Sequence, residues 1–348
     1  MRALLIKTSS MGDVIHTLPA VSDAAAAVPG LAFDWVVERD FAPLCAAHPA
    51  VAEVIPVGLR RWRRDALAGA GLRSVTEDLR GFLGRLRRVR YDLVLDAQGL
   101  YKSLGIALMA RGPRHGLDWR SAREPLVSLF YHRRHAASWE AHAIERLRRL
   151  FAGAFGYAVP AGPPCYGLEA ARFPAPGLPG RYLVFAHGTS WANKLWPTEG
   201  WRALAAKALA HGFTVCLPAH GGRERARAEA IARDLPGVVV LPPLGLAEAA
   251  GVIARAAGVV ALDTGLGHLA AALGVPSVTL YGPTAPRLTG TFGPAQRHLV
   301  AELDCVPCLA RTCRLTTDHS GPAPCLAAVR AEAVWRLLAP ALDLTAAG

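Results

Sequence analysis

Three segments of the chain place charge-handling side chains at the ends of apolar runs. The first is Asp263-Thr264-Gly265-Leu266-Gly267-His268, between the apolar Val259–Leu262 and the helix-like Leu269–Leu273. Backbone N–H groups at a helix N-terminus suit a phosphate. Glycines at 265 and 267 allow close backbone approach, and Asp263 and His268 add groups that bind or orient polar substituents. A turn of this kind can equally be a packing device, with Asp263 or Thr264 as the helix N-cap. The second segment, Thr8 to His16, follows the strand-like Ala3–Lys7. Ser10 or Asp13 can cap the next helix, or Asp13 can act as a general base. A helix N-terminus lowers the carboxyl pKa and desolvation raises it, and in either case it is ionised at neutral pH. The third, His187 to Pro197, holds Thr189, Ser190 and Lys194, the only lysine between Lys102 and Lys207. Its ammonium can follow charge developing on a phosphate leaving group. The plain alternative is an exposed loop lysine.

The elements needed to position these segments are legible as alternating strands and helices, twice over. Ala3–Lys7, Phe33–Val37, Val54–Val57 and Leu93–Asp96 read as buried strands, with helices at Ile15–Ala27, Val75–Arg88 and Tyr101–Ala110. Short apolar runs separated by helical segments predict a parallel sheet with crossover helices. Prolines and glycines then cluster between Val159 and Gly180, a linker signal. The pattern restarts with Tyr182–Ala186, Thr214–Leu217, Val238–Leu241, Val259–Leu262 and Ser277–Leu280. The expected organisation is a first domain over 1–165, a linker over 166–180, a second domain over 181–325, and a terminal helix over 326–348 that packs back toward the first domain. Two doubly wound domains of this kind are expected to face a central cleft, a favoured place for ligands.

With 348 residues, 52% hydrophobic and 19% charged, the chain reads as globular and of about two domains. The apolar run at Met1–Lys7 is too short for a signal peptide, and no window is apolar enough for a membrane span, so a cytosolic protein is expected. The net charge of +12 is concentrated in the first half. Ten arginines fall between Val57 and Arg90 against Asp65, Glu77 and Asp78, and nine more between Arg111 and Arg149 against four acids. Such a surface attracts polyanions, whether nucleic acid, lipid headgroups or a phosphorylated substrate, or is simply a solvated face. Arg60, Arg61, Arg63 and Arg64 follow a strand end, where function tends to sit.

The order of motifs resembles the lipopolysaccharide heptosyltransferases, the inverting, metal-independent glycosyltransferases of family 9 with the GT-B fold. The resemblance rests on KTSSMGDVIHTLPA at 7–20, FDWVVE at 33–38, IPV with RRWRR at 55–64, DAQGLYKS at 96–103, GLDWRSAREPLVSLFYHRRH at 116–135, HGTS with KxWP at 187–197, and DTGLGH at 263–268. The block at 116–135 is most similar to heptosyltransferase I, which adds the first heptose to the Kdo of Kdo2-lipid A. The resemblance implies Asp13 as the base toward the acceptor hydroxyl and Lys194 as the cation on the donor diphosphate. It places Thr189 and Ser190 at the same phosphates, Glu224 on the nucleotide ribose, and Asp263, Thr264, Gly265 and His268 around the donor heptose and phosphate. Ser10, Arg60, Arg61, Arg63, Arg64, Arg120 and Arg123 would face the acidic acceptor, to which guanidinium groups are suited. ADP-heptose is then the donor substrate, with no cofactor, and the enzyme works peripherally on the cytoplasmic face of the anionic inner membrane. No Asp-x-Asp stands near the donor motifs, which fits metal independence.

Four cysteines, Cys305, Cys308, Cys313 and Cys325, crowd one late segment. Zinc ribbons use similar pairs, but the spacing is irregular for one, and free thiols are the competing reading. A comparable segment occurs in relatives resembling heptosyltransferase II, which keeps addition of the second heptose as the alternative. A GT-B-like sugar-nucleotide epimerase is a more distant one. No nucleic-acid motif accompanies the positive charge, so no nucleic-acid partner is expected.

Overall fold

The computed structural model describes residues 1–59, 61, 62, 65, 72–178, 180–317, 321–342 and 344. Arg60, Arg63 and Arg64 lie outside the described residues. The chain divides into two compact units, Met1–Gly167 and Leu168–Gly348. The division falls within the proline- and glycine-rich stretch.

The first unit is built on β1 (Arg2–Ile6), β2 (Ala32–Glu38), β3 (Val51–Val57), β4 (Leu93–Asp96), β5 (Arg114–Leu117) and β6 (Arg133–His135). All pairings are parallel, in the order β3-β2-β1-β4-β5-β6. The crossovers include α1 (Met11–Ala27), α2 (Ala42–Ala46), α3 (Leu72–Arg87), α4 (Tyr101–Met109) and α5 (Ala143–Phe155). The central strands are unbroken apolar runs because helices cover both faces of the sheet. Leu4, Ile6, Val36 and Val94 are fully buried on one such face with Phe82 and Leu86 of α3. Strands β5 and β6, with sequences RHGL and RRH, escape an apolar-run reading because they are polar. They are held by backbone pairing, and His135 Nε2 lies 3.3 Å from His115 Nδ1 across them.

The second unit repeats the plan with β7 (Tyr182–Ala186), β8 (Thr214–Leu217), β9 (Val238–Val240), β10 (Gly258–Leu262), β11 (Ser277–Tyr281) and β12 (Gln296–Val300), in the order β12-β11-β10-β7-β8-β9. Its helices include α6 (Thr198–Ala210), α7 (Gly222–Ala232), α8 (Leu246–Ala254), α9 (Gly265–Ala272), α10 (Pro286–Thr289), α11 (Pro324–Ala327) and α12 (Ala331–Leu338). The edge strand β12, sequence QRHLV, is the further element absent from the apolar pattern. The terminal helix α12 lays Val334, Trp335 and Leu338 into the core of this second unit, whereas the sequence reading sent it toward the first. The expected doubly wound α/β architecture is present in each unit.

In each sheet the strand order reverses once, between β1 and β4 and between β7 and β10. Neighbouring loops diverge there, which opens a crevice at the carboxyl ends of the strands. Asp13 sits in the first turn of α1, just after β1, Lys194 in the connection after β7, and Asp263 directly after β10.

One buried ion pair holds α5 to α1 in the first unit. Arg148 Nε donates to Asp23 Oδ2 at 2.6 Å, with side chains only 7% and 10% exposed, and Arg148 also donates to the Pro160 carbonyl. Removing one partner strands a buried charge. Arg148→Ala should therefore cost about 3–5 kcal/mol in denaturant unfolding, and Asp23→Asn should offset part of that loss in the double variant. Strictly additive effects would mean that the pair is not coupled.

Candidate active site

In the first unit the site grows from the end of β1. The Ser10 N–H and hydroxyl both donate to Asp13 Oδ2, at 2.8 and 2.7 Å, so Asp13 closes the first turn of α1 while leaving Oδ1 toward Lys7. Lys7 Nζ is 3.7 Å from Oδ1 and donates to the Ala97 carbonyl at 3.1 Å. The Lys7 side chain is 9% exposed, while that of Asp13 keeps 47% of its surface open. Burial pulls the Asp13 carboxyl upward, but the Lys7 ammonium and the two Ser10 hydrogen bonds outweigh it and hold its pKa below the ordinary carboxylate value. Burial in turn lowers the Lys7 pKa, opposed by Asp13 and Asp96. Asp13 is thus an ionised, accessible carboxylate with a fixed cation behind it. Arg146 acts electrostatically on the same carboxylate; burial lowers its own pKa to about 10.

The DAQGLYKS motif holds this corner together. Asp96, fully buried at the end of β4, accepts from the Gln98 and Gly99 amides, the Ser103 hydroxyl and the Tyr131 hydroxyl. Gln98 bridges back to the β1 loop, accepting from the Thr8 N–H and donating to the Ser9 carbonyl. Lys102 Nζ donates to Ser9 Oγ at 3.3 Å. Lys7, Lys102, Asp96 and Arg146 were not singled out from sequence. A lysine ending an apolar strand carries no local signal, because its partner is set by strand pairing.

Of the arginines assigned to the acceptor, Arg120 and Arg123 are exposed. Arg61 is ion-paired with Asp78. It is therefore tied to α3 and only partly available as an open cation.

In the second unit Lys194 and Asp263, 69 residues apart in the chain, meet through Nζ···Oδ2 at 2.6 Å, with side chains 12% and 10% exposed. The Thr284 hydroxyl donates to the same oxygen at 2.8 Å, and His268 Nε2 lies 3.8 Å from the other. Burial raises the Asp263 pKa, but the bond from His268 and the Lys194 charge prevail and hold it far below the usual carboxylate range. Sequence reading extended the turn from Asp263 to His268. The helix in fact begins at Gly265 with Thr264 as N-cap, so His268 lies in its first turns. The Thr264 side chain makes no capping bond, which leaves the leading amides of α9 for another acceptor. Gly267 is a packing residue: a Cβ there would stand 3.1 Å from that of Ala261.

The segment bearing Lys194 is pinned on both sides. Asn193 Nδ2 donates to the Ala310 carbonyl at 2.8 Å. The buried Trp196 donates to the Val329 carbonyl and packs edge-on against Trp201 at 5.0 Å. The KxWP motif is thus a packing anchor beside Lys194. Thr189 is half-buried and Ser190 exposed on the preceding turn. Glu224, in the first turn of α7, accepts from the His220 N–H at 2.8 Å and lies against Gly188, where a Cβ would come within 2.4 Å of its Oε1. His187 is fully buried, and burial lowers its pKa to about 4, so it is a neutral core group. Cys305, Cys308, Cys313 and Cys325 are free thiols lining one cavity of about 260 Å³. Among the described residues no group of three or more His, Cys, Asp or Glu side chains is placed to hold a metal ion.

The model of the family described as glycosyltransferase family 9 (heptosyltransferase) matches residues 80–319. The lipopolysaccharide heptosyltransferase 1 of Pseudomonas aeruginosa is 51% identical over 316 residues, covering 90% of this chain and 87% of that protein. The chain belongs to glycosyltransferase family 9. The enzyme of the same name from Escherichia coli K12 is 46% identical over 85% of this chain and 92% of its own. The structure of E. coli heptosyltransferase WaaC with ADP superposes on this glycosyltransferase with a TM-score of 0.86, at 41% identity over 98% of this chain and 100% of the other. E. coli heptosyltransferase II has the same fold at a TM-score of 0.71, with 23% identity over 98% of each chain.

The Lys194–Asp263 pair generates a stability prediction. Lys194→Met leaves Asp263 without its nearest cation and should cost about 3 kcal/mol at neutral pH. Asp263 has a depressed pKa when folded. Its contribution is therefore full above the unfolded carboxyl pKa, about 4, and is lost as pH falls toward the folded value. Thermal melts of the two proteins should differ most at neutral pH and converge below about pH 4. An equal gap across that range would show that the pair does not stabilise the fold.

Proposed function

We propose that this glycosyltransferase moves L-glycero-D-manno-heptose from ADP-heptose to a Kdo hydroxyl of Kdo2-lipid A, with inversion at the anomeric carbon, as a heptosyltransferase I. The observation that carries the reading is the buried Lys194–Asp263 pair beside the uncapped start of α9, a cationic, amide-rich corner suited to a nucleotide diphosphate. Its relatives support the substrate: one solved WaaC structure, 44% identical over 87% of this chain and 94% of its own at a TM-score of 0.79, contains ADP-2-deoxy-2-fluoro heptose.

In this reading Asp13 takes the proton of the attacking hydroxyl, which forms the new bond to the anomeric carbon as the bond to the diphosphate oxygen breaks. The Lys194 ammonium, the α9 amides and the Thr189 and Ser190 hydroxyls receive the negative charge that develops on the leaving ADP. Asp263 keeps Lys194 in position until the donor arrives, and Glu224 holds the ribose. These groups counter the negative charge that a divalent cation would otherwise neutralise, so turnover needs no metal cofactor. Arg120, Arg123 and the arginines around Arg60, Arg61, Arg63 and Arg64 bind the acceptor's carboxylates and phosphates, and attach the enzyme peripherally to an anionic membrane surface. Among the described residues no helix is long and apolar enough to cross a membrane.

Mass spectrometry of the product from ADP-heptose and Kdo2-lipid A tests the reaction. A mass gain of one heptose supports it, and a gain only on an acceptor already carrying heptose would favour heptosyltransferase II. Asp13→Ala should lower turnover by about 10²–10⁴-fold while ADP-heptose affinity stays within a few-fold, because the carboxylate acts on the acceptor. Near-normal turnover would remove Asp13 from the reaction. Lys194→Ala should lower turnover strongly without rescue by magnesium, and EDTA should leave the wild type active. Inactivation by EDTA with recovery on adding metal would overturn the metal-free reading.

A further inference from the structure

The 3-10 turn Pro125–Phe130 in the first unit presents its apolar side chains outward. Val127 and Ser128 are buried, while Leu126, Leu129 and Phe130 are 48%, 57% and 50% exposed. Three residues per turn put Leu126 and Leu129 on the same face. The turn packs against α4, whose first residue, Tyr101, is 52% exposed and donates its N–H to the Glu124 carboxylate at the head of the turn. Trp119 and Trp139 are also about half exposed, at 49% and 48%. Trp139 bonds its ring N–H to the Arg120 carbonyl and carries the Arg146 guanidinium 3.4 Å from its ring centroid. Arg120, Arg123, Arg133 and Arg134, which flank the turn in sequence, are all exposed.

A solvated loop has no reason to expose three large apolar side chains in five residues while burying its serine. Exposed apolar ridges with a polar rim mark interaction sites. Charge selects the occupant: the exposed Arg120, Arg123, Arg133 and Arg134, which flank the turn in sequence, are complementary to an anionic headgroup layer. Apolar tips, half-exposed tryptophans and a fringe of arginine are the side-chain set favoured at a bilayer interface. We propose that Pro125–Phe130 is a wedge that inserts Leu126, Leu129 and Phe130 into the headgroup–acyl boundary of an anionic bilayer, with the neighbouring arginines on lipid phosphates. The proposal rests on the reading of a lipid-linked acceptor and adds to it an apolar anchor, whose contribution salt does not screen.

The test uses the full chain and vesicles of phosphatidylethanolamine with phosphatidylglycerol, read by co-sedimentation at low and high salt. The wild type should keep a salt-resistant fraction on the vesicles. The variant Leu126→Ser/Leu129→Ser/Phe130→Ser should lose that fraction, and its partitioning at low salt should fall by on the order of tenfold. Leu129→Trp, a substitution on the exposed face, should strengthen partitioning and keeps the test decisive should the triple variant misfold. Hydrogen exchange over residues 125–130 should slow when vesicles are added. Unchanged partitioning in both variants would overturn the wedge. So would a wild type that self-associates in sedimentation while the triple variant stays monomeric, because a second copy would then cover the face. Transfer to an acyl-free, water-soluble acceptor separates the two readings. Activity there that is equal in wild type and variant leaves the reaction standing whatever the vesicles show, and its absence in both would sink the reaction and not the wedge.

Discussion

Two loops of a parallel α/β sheet can stand side by side over a crevice only where the strand order reverses. Each unit of this chain has one such place, and the charged groups of the site gather there. The pairing of β7 with β10, Val184 opposite Val259 and Ala186 opposite Ala261, brings together loops 69 residues apart and lets Lys194 reach Asp263. The pairing of β1 with β4 sets Leu5 beside Leu95 and Ile6 beside Asp96, and so brings Ala97 under Lys7. The apolar runs that form these strands contain none of the chemistry, yet their register decides which polar residues meet. A slip of one residue in either pairing would turn Asp96 or the end of β10 to the opposite face.

Charge in a low-dielectric corner must be paired to remain charged, and the chain meets that requirement differently at its two centres. Asp263 is nearly buried and carries three polar neighbours, so it is a fixed anion whose use is to hold others. Asp13 has the same kind of cationic neighbour but keeps half of its side chain open. The first arrangement suits a positioning group and the second a group that exchanges a proton. Lys194 is held in place by Asp263, which suits the role proposed for it at a donor diphosphate, with little reorganisation required.

Much of this was legible in the sequence because it depends on local patterns. Apolar runs placed every strand end they marked within three residues, and matched Leu93–Asp96, Tyr182–Ala186 and Thr214–Leu217 at both ends. The segments around Asp13, Lys194 and Asp263 stood out as polar interruptions at strand ends. What escaped was decided by tertiary context. β5, β6 and β12 are too polar for periodicity to reveal, and exist because a neighbouring strand offers its edge. The start of α9 moved to Gly265, since a glycine-rich turn tolerates helical geometry once it packs on β10 and β11. Lys7 and Asp96 looked like strand ends, and tertiary contacts are what tie Lys7 to the Ala97 carbonyl and add Tyr131 to the three local donors on Asp96.

The lowered pKa of Asp13 bears on what kind of base it can be. An exposed carboxylate stabilised by Lys7 and Ser10 is always ionised, but each contact that secures the charge also weakens its pull on a proton. Its strength must therefore rise when the acceptor covers it. Removing water from the open half of the side chain desolvates the carboxylate and raises its affinity for a proton, opposed by the Lys7 charge, which also acts more strongly in the drier site. In the role proposed for it, Asp13 would be a base restrained until an acceptor covers it, which suits an enzyme whose donor would be wasted if water reached an active base first.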